Sequence, residues 1–303
     1  MTVLLALASA MSNAVNLLTQ RVSSRHGPSG SWWRLAKYLL RQSLWLLGLG
    51  AAIAAFVLQA LALRHGQLSV VQPLLVTELV FVLVLRRLWL RQPVRSAAWG
   101  ASALTCAGLV VFLLAAEPRG GRPQPTGDAW AEVLGVFGGA AVVMVLLAAR
   151  GSPARRAALY AASAAVTGAL SATFIKTVVV TLSTDGVAQV LLRWPIYGLA
   201  VTGVASAFLV QAALHVGPLT VSQPIMVVLN PIVSIWISVW LFAEFFTDNK
   251  LVLAAGAAGF AALMVGVVAL TRTAPQEDRV YRGTSTGTSG SAAARPVSTS
   301  RQT

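Results

Sequence analysis

The chain has 303 residues, of which 56% are hydrophobic and 11% charged, whereas a soluble domain carries about 25% charged residues. That composition excludes a soluble enzyme, a DNA-binding module and a disordered protein as the main reading. The net charge of +14 belongs to basic loops that set membrane topology, so no nucleic-acid partner is expected. The single cysteine, Cys106, excludes an intramolecular disulfide and a cysteine-based metal site.

Apolar runs fall at 2–20, 44–63, 68–86, 97–116, 130–149, 157–182, 196–214, 219–243 and 251–270. Each is long enough to cross a hydrocarbon core of about 30 Å. The runs are continuous, not alternating, so they read as helices and not barrel strands. The expected fold is an all-α membrane protein with nine transmembrane helices. Ala8-Ser9-Ala10 resembles a signal cleavage site, but no Lys or Arg precedes Arg21, so the first run is read as a retained helix.

Alternate loops divide the basic residues 17 to 5, with Lys176 inside a span. The rich side is expected to be cytoplasmic. This places the N-terminus outside, the C-terminus inside and the protein in the cell (inner) membrane. The segment Trp32–Arg41 reads as an amphipathic helix on the cytoplasmic leaflet or as the start of span two. From 273 the chain turns to Ser, Thr, Gly, Ala and Arg and is expected to be a disordered cytoplasmic tail.

The chain resembles itself. Gly66-Gln67-Leu68-Ser69-Val70-Val71-Gln72-Pro73 aligns with Gly217-Pro218-Leu219-Thr220-Val221-Ser222-Gln223-Pro224, and Phe56 and Gln59 answer Phe208 and Gln211. Both copies open the third span of a four-span group. The expected organisation is a first group over 1–116, a connector with the fifth span over 117–156, a second group over 157–272 and the tail over 273–303. Corresponding spans are then of opposite topology. Inverted repeats of this kind build many secondary transporters, with a substrate site near the midplane. Pro73, Pro224 and Pro231 are the expected hinges, because proline withdraws one intrahelical hydrogen bond. Asn230-Pro231 is expected to break the eighth span near its middle. Gln72 and Gln223 would line the cavity beside the other two prolines.

Ionisable residues at membrane depth are costly and functional by default. Glu78 lies ten residues beyond Leu68, roughly 15 Å deep at 1.5 Å per residue. Lys176 lies roughly 9 Å from the same face. Glu78 is expected to bind a cation or proton, with Lys176 as its partner in the unloaded state; the alternative for Lys176 is snorkelling to the outer interface. Asn13 and Asn16 share one face of span one. Span six carries Thr167, Ser171 and Thr173 in the equivalent region. Such stripes line a pathway or join helices, and their presence in both repeats favours a pathway. The candidate substrate-binding set is therefore Asn13, Asn16, Gln72, Glu78, Lys176, Gln223 and Asn230, with Glu78 also the one candidate metal ligand. No histidine cluster, nucleophile triad or Walker loop occurs, so neither enzymatic activity nor a cofactor is expected.

The nine spans, the Trp-rich stretch of Trp32, Trp33 and Trp45, the element Leu68–Pro73, the segment Ser171-Ala172-Thr173-Phe174-Ile175-Lys176 and the ending Leu241-Phe242-Ala243-Glu244 together resemble the drug/metabolite transporter superfamily. Within it the chain is most similar to the NIPA-type magnesium transporter branch. The resemblance covers about 1–272 and implies transport by alternating access. That branch has a glutamate in span two, where this chain has Ala54-Ala55-Phe56-Val57, and Asn-Glu-Arg after span three, where it has Leu85-Arg86-Arg87. The implied substrate is a divalent cation such as magnesium or a small organic metabolite. The partners expected are that solute and membrane lipid, with a homodimer allowed. The rival class is a non-transporting subunit that binds lipid head groups or a protein partner.

Overall fold

The structure is a computed structural model that describes residues 1–24, 42–91, 93–116, 119–121, 125–217, 219–245 and 249–273. The amphipathic stretch expected at Trp32–Arg41 and the tail expected beyond 273 lie outside these residues. Apart from one two-residue antiparallel pairing, the regular structure is helical. Among the described residues nine helices are long and apolar enough to cross a membrane, one for each apolar run. The chain is thus a multi-pass helical membrane protein by length and composition.

Spans one and two are α1 (Thr2–Ser24) and α2 (Ser43–His65). Span three comes in two pieces, α3 (Leu68–Leu75) and α4 (Glu78–Leu88). Span four is α5 (Ser96–Ala116). Span five consists of α6 (Gly127–Val133), a π-helical turn at Leu134–Gly138 and α7 (Gly139–Leu147). Thr126 caps α6 by accepting from the Ala129 amide; a capping side chain meets one of the amides that a helix start leaves unpaired. Spans six to nine are α8 (Pro153–Leu192), α9 (Pro195–Val216), α10 (Leu219–Phe242) and α11 (Lys250–Thr273). Within α8 the backbone turns at Gly186, with φ of 83°. Beyond that turn Val187, Leu191 and Leu192 are exposed, an apolar face suited to lipid.

Two tight pairs frame the bundle: α1 packs along α2, and α8 along α9. α1 also meets both pieces of span three, while α8 meets α10. Between these pairs α3 packs on α10 and α5 on α11. Small residues set how close they come. Ala6, Ala10 and Ala14 are fully buried on α1, as are Ala157 and Ala161 on α8. In the α5–α11 pair a Cβ at Gly108 would stand 2.3 Å from the Leu263 nitrogen, and one at Gly259 would stand 2.6 Å from the Phe112 nitrogen. These helices meet backbone to backbone, as small residues permit in a membrane.

The two ends of the bundle differ. At the end that holds Met1, Gly66 lies against Thr2, and β1 (Arg119–Gly120) pairs antiparallel with β2 (Glu244–Phe245). Trp130 stacks on Phe174 at 4.7 Å, and Trp194 meets both edge-on. At the opposite end Gly217 lies against Pro153. The outward faces carry Ile53, Phe56, Val142, Leu146, Val201 and Phe208, all exposed. Water would penalise such a surface, whereas a hydrocarbon solvent does not.

The expected break at Asn230-Pro231 is not found. α10 runs unbroken from Leu219 to Phe242 through both Pro224 and Pro231. A proline removes only its own amide, and in a packed bundle the bonds on either side hold the helix. A tightened turn lies in span three instead, at Val76–Thr77, three residues beyond Pro73, where both residues keep right-handed helical backbone angles. There the Thr77 amide and hydroxyl both donate to the Leu74 carbonyl, at 3.1 and 2.7 Å. This three-residue closure tightens the turn and ends α3.

Candidate functional site

Glu78 follows the tightened turn in span three, at the first position of α4. The Asn13 side-chain amide of α1 donates to a Glu78 carboxylate oxygen. Asn16, one turn further on, donates to the Asn13 Oδ1 at 3.4 Å. An Asn16–Asn13–Glu78 relay thus joins α1 to the start of α4. Three of the expected site residues come together here; the spacing on α1 puts the two asparagines on one face, and their contact with Glu78 is a finding of the structure.

Glu78 also lines a cavity of about 360 Å³. From Glu78 the lining passes Leu79, Val82 and Leu83 of α4 and Val210 of α9 to Arg86, Pro93, Arg95, Leu214 and Thr271. The latter group lies toward the end opposite Met1. α10 contributes Gln223, Met226 and Val227. Pro231 withdraws an amide from the carbonyl of Val227, so the proline acts beside the cavity without breaking its helix. The walls are mainly aliphatic, with a carboxylate at one end and two guanidinium-bearing residues toward the other.

The remaining expected residues lie elsewhere. Asn230 accepts from Ser234 at 3.3 Å and packs against Gly168, where a Cβ would stand 3.1 Å from its side-chain nitrogen; it serves a helix crossing. Gln72 is buried, and its Nε2 has no hydrogen-bond partner among the described residues. The hydroxyls of Thr167, Ser171 and Thr173 each return to the carbonyl four residues earlier on α8, at 2.9, 2.9 and 2.8 Å. They donate within their own helix, and Thr167 and Thr173 are buried. In span one Ser9 joins helices, donating to the Ala55 carbonyl at 2.8 Å.

The expected Glu78–Lys176 pair is not formed. Lys176 instead pairs with Glu244, its Nζ 2.6 Å from Oε1, and lies 4.3 Å from the Phe242 ring centroid. Glu244 also accepts from the amides of Leu68 at 3.1 Å and Ser69 at 3.3 Å, and from the Ser69 hydroxyl at 2.7 Å. Its side chain is fully buried. Burial pushes its carboxyl toward protonation, but the Lys176 charge and hydrogen bonds from Lys176, Ser69 and Leu68 outweigh that and hold it below the usual carboxylate range. The chain turns into β2 through Ala243, whose φ of 50° is uncommon for a residue with a Cβ. Sequence reasoning gave Glu244 no site role. The available signal was scarcity: a buried lysine needs a counter-charge, and the whole chain has nine acids.

A protein of Corynebacterium glutamicum described as uncharacterized is 30% identical over 282 residues, which cover 90% of this chain and 95% of its own length. The chain belongs to the same family as that protein. No family model matches the chain, and no solved structure matches it. Among the described residues no group of three or more His, Cys, Asp or Glu side chains could hold a metal ion.

Proposed function

We propose that the protein is a membrane transporter of the drug/metabolite type that works by alternating access, and that its cavity takes a small organic solute. The observation that carries this reading is the cavity ending on Glu78 at a tightened turn within a transmembrane helix. A stretch of three-residue closure inside an α-helix often marks a functional hinge.

The proposed organisation is an inverted repeat, with spans one to four repeated as spans six to nine. Its support lies in paired features at one constant offset. Gly66 stands to Thr2 as Gly217 stands to Pro153. Ala6, Ala10 and Ala14 stand in α1 as Ala157, Ala161 and Ala165 stand in α8, and all six are buried. The α1–α2 pair answers the α8–α9 pair, while α3 meets α10 and α5 meets α11 across the proposed dyad. The basic loops put the Met1 end outside, so the cavity faces the cytoplasm and the external end is closed.

The cavity chemistry favours the metabolite over magnesium. A divalent cation of that size wants several oxygen ligands in octahedral geometry and keeps much of its water. Glu78 offers one carboxylate, already receiving the Asn13 amide, among aliphatic walls. A small zwitterion with an apolar body fits better, its basic group against Glu78 and its acidic group toward Arg95. The volume is at the lower end of the range for ligand pockets, roughly 300–1,000 Å³.

The test is flux of radiolabelled leucine, a zwitterion with an aliphatic side chain, into proteoliposomes, with magnesium flux measured in parallel. Leucine flux that disappears in Glu78→Gln supports the reading. Magnesium flux without leucine flux replaces the metabolite by the cation. Absence of both from folded protein favours the non-transporting subunit.

A further inference from the structure

We propose that Glu244 is the external gate residue, a hook by which the second four-helix group holds the first, and that Lys176 is its permanent counter-ion. This inference rests on the alternating-access reading and assigns a role to a cluster remote from the cavity. Its bonds divide into two kinds. Those to the Leu68 and Ser69 amides and the Ser69 hydroxyl cross from β2 to the start of α3, from one group to the other. The bond to Lys176 stays within the second group, because α8 and β2 both belong to it. Opening the Met1 end separates the groups and so breaks the first kind alone.

This division solves an electrostatic problem. A buried carboxylate that lost all its partners at each opening would carry a heavy desolvation cost. With Lys176 at 2.6 Å and its ammonium over the Phe242 ring, Glu244 stays neutralised in both states. Only hydrogen bonds to α3 are exchanged, and water entering the opened end can replace them. The start of α3 is a suitable catch, since its first amides have no acceptor within the helix and its dipole end is positive. The hook is also one-sided. At the constant offset that relates the two groups, the counterpart of Glu244 is Pro93, which has no side-chain acceptor and lines the cavity. The Met1 end has a latch, and the corresponding position at the other end has an opening.

The experiment reads access from the Met1 side. Cys106 is replaced by serine, and Gln72→Cys, one turn beyond Ser69 and buried, supplies the reporter thiol. A membrane-impermeant maleimide is applied at the Met1 face of reconstituted vesicles. Slow labelling is expected with the hook intact, and labelling about tenfold faster with Glu244→Gln or Ser69→Ala, the shift that follows from losing one charge-assisted hydrogen bond. Lys176→Arg keeps the charge and should label slowly. Where Glu244→Gln alone fails to fold, the double variant Lys176→Met/Glu244→Gln removes both charges together, leaves no buried ion unpaired and should label fast. Folded variants that label as slowly as the parent overturn the gate while leaving the cavity reading to the flux assay. A parent that labels as fast as the variants shows the Met1 end to be open and also overturns the gate.

Discussion

Replacing Gly108 by alanine should destabilise the protein through one interface, α5 on α11. The added Cβ would stand 2.3 Å from the Leu263 nitrogen, 2.6 Å from the Gly259 carbonyl oxygen and 2.9 Å from the Ala262 carbonyl carbon. All three obstacles are backbone, so no rotamer change relieves them. The helices must part by about 1 Å to restore van der Waals separation, and a gap of that order forfeits a quarter to a half of each dispersion contact across the seam. That seam includes buried Leu109, Phe112, Leu263 and Val267. Overpacking of this kind costs about 1–3 kcal/mol, and an immovable obstacle puts Gly108→Ala at the upper end. The matched control lies on the same helix. A Cβ at Gly100 meets nothing within 4 Å, and alanine there gains up to about 1 kcal/mol of helix propensity. The two alanine variants should therefore move in opposite directions, roughly 2–4 kcal/mol apart. Thermal unfolding in detergent, followed by intrinsic fluorescence of the nine tryptophans, should place Gly108→Ala below the parent and Gly100→Ala at or above it. Coincident melting of the two variants would refute the backbone-to-backbone description of this pair.

Two further outcomes follow from the polar clusters. Because the folded pKa of Glu244 is depressed, its contribution to stability is complete above the unfolded value of about 4.3 and is lost as pH falls through the lower folded value. Melting temperature against pH should thus show an acid limb below about pH 4 that is shallower in Glu244→Gln, with no contribution from this group between neutral pH and about pH 5; an unchanged limb would contradict the ion pair. Asn13→Leu removes the donor to Glu78 while keeping side-chain volume, and should weaken solute binding about tenfold through a misplaced carboxylate, read by isothermal titration with leucine. Equal affinity in Asn13→Leu would mean that the relay does not position Glu78.

The spans were legible because hydrocarbon imposes one rule over about 20 residues, and every apolar run became a helical span. The shared face of Asn13 and Asn16 was legible from their spacing, but their meeting with Glu78 was not, since the sequence reading pairs Glu78 with Lys176. Nor was the partner of Lys176. Glu244 lies 68 residues away in sequence, just beyond the end of α10, where nothing local distinguishes it from a solvated acid. The tightened turn in span three was equally hidden. Pro231 advertises a disruption that packing absorbs, whereas Thr77 tightens a turn through a hydroxyl and amide that share a single carbonyl. Both misreadings concern competition between local bonds and tertiary contacts, which a sequence pattern weighs poorly.

That origin of the turn bears on motion. A proline interruption is permanent, because the missing amide can never return. The turn at Val76–Thr77 contains no proline, its backbone stays right-handed helical, and its amides keep their hydrogens. A small change of torsion would hand the Leu74 carbonyl from the Thr77 amide to that of Glu78. The geometry beside the one acidic residue lining the cavity is therefore held by an exchangeable hydrogen bond and not by a missing one.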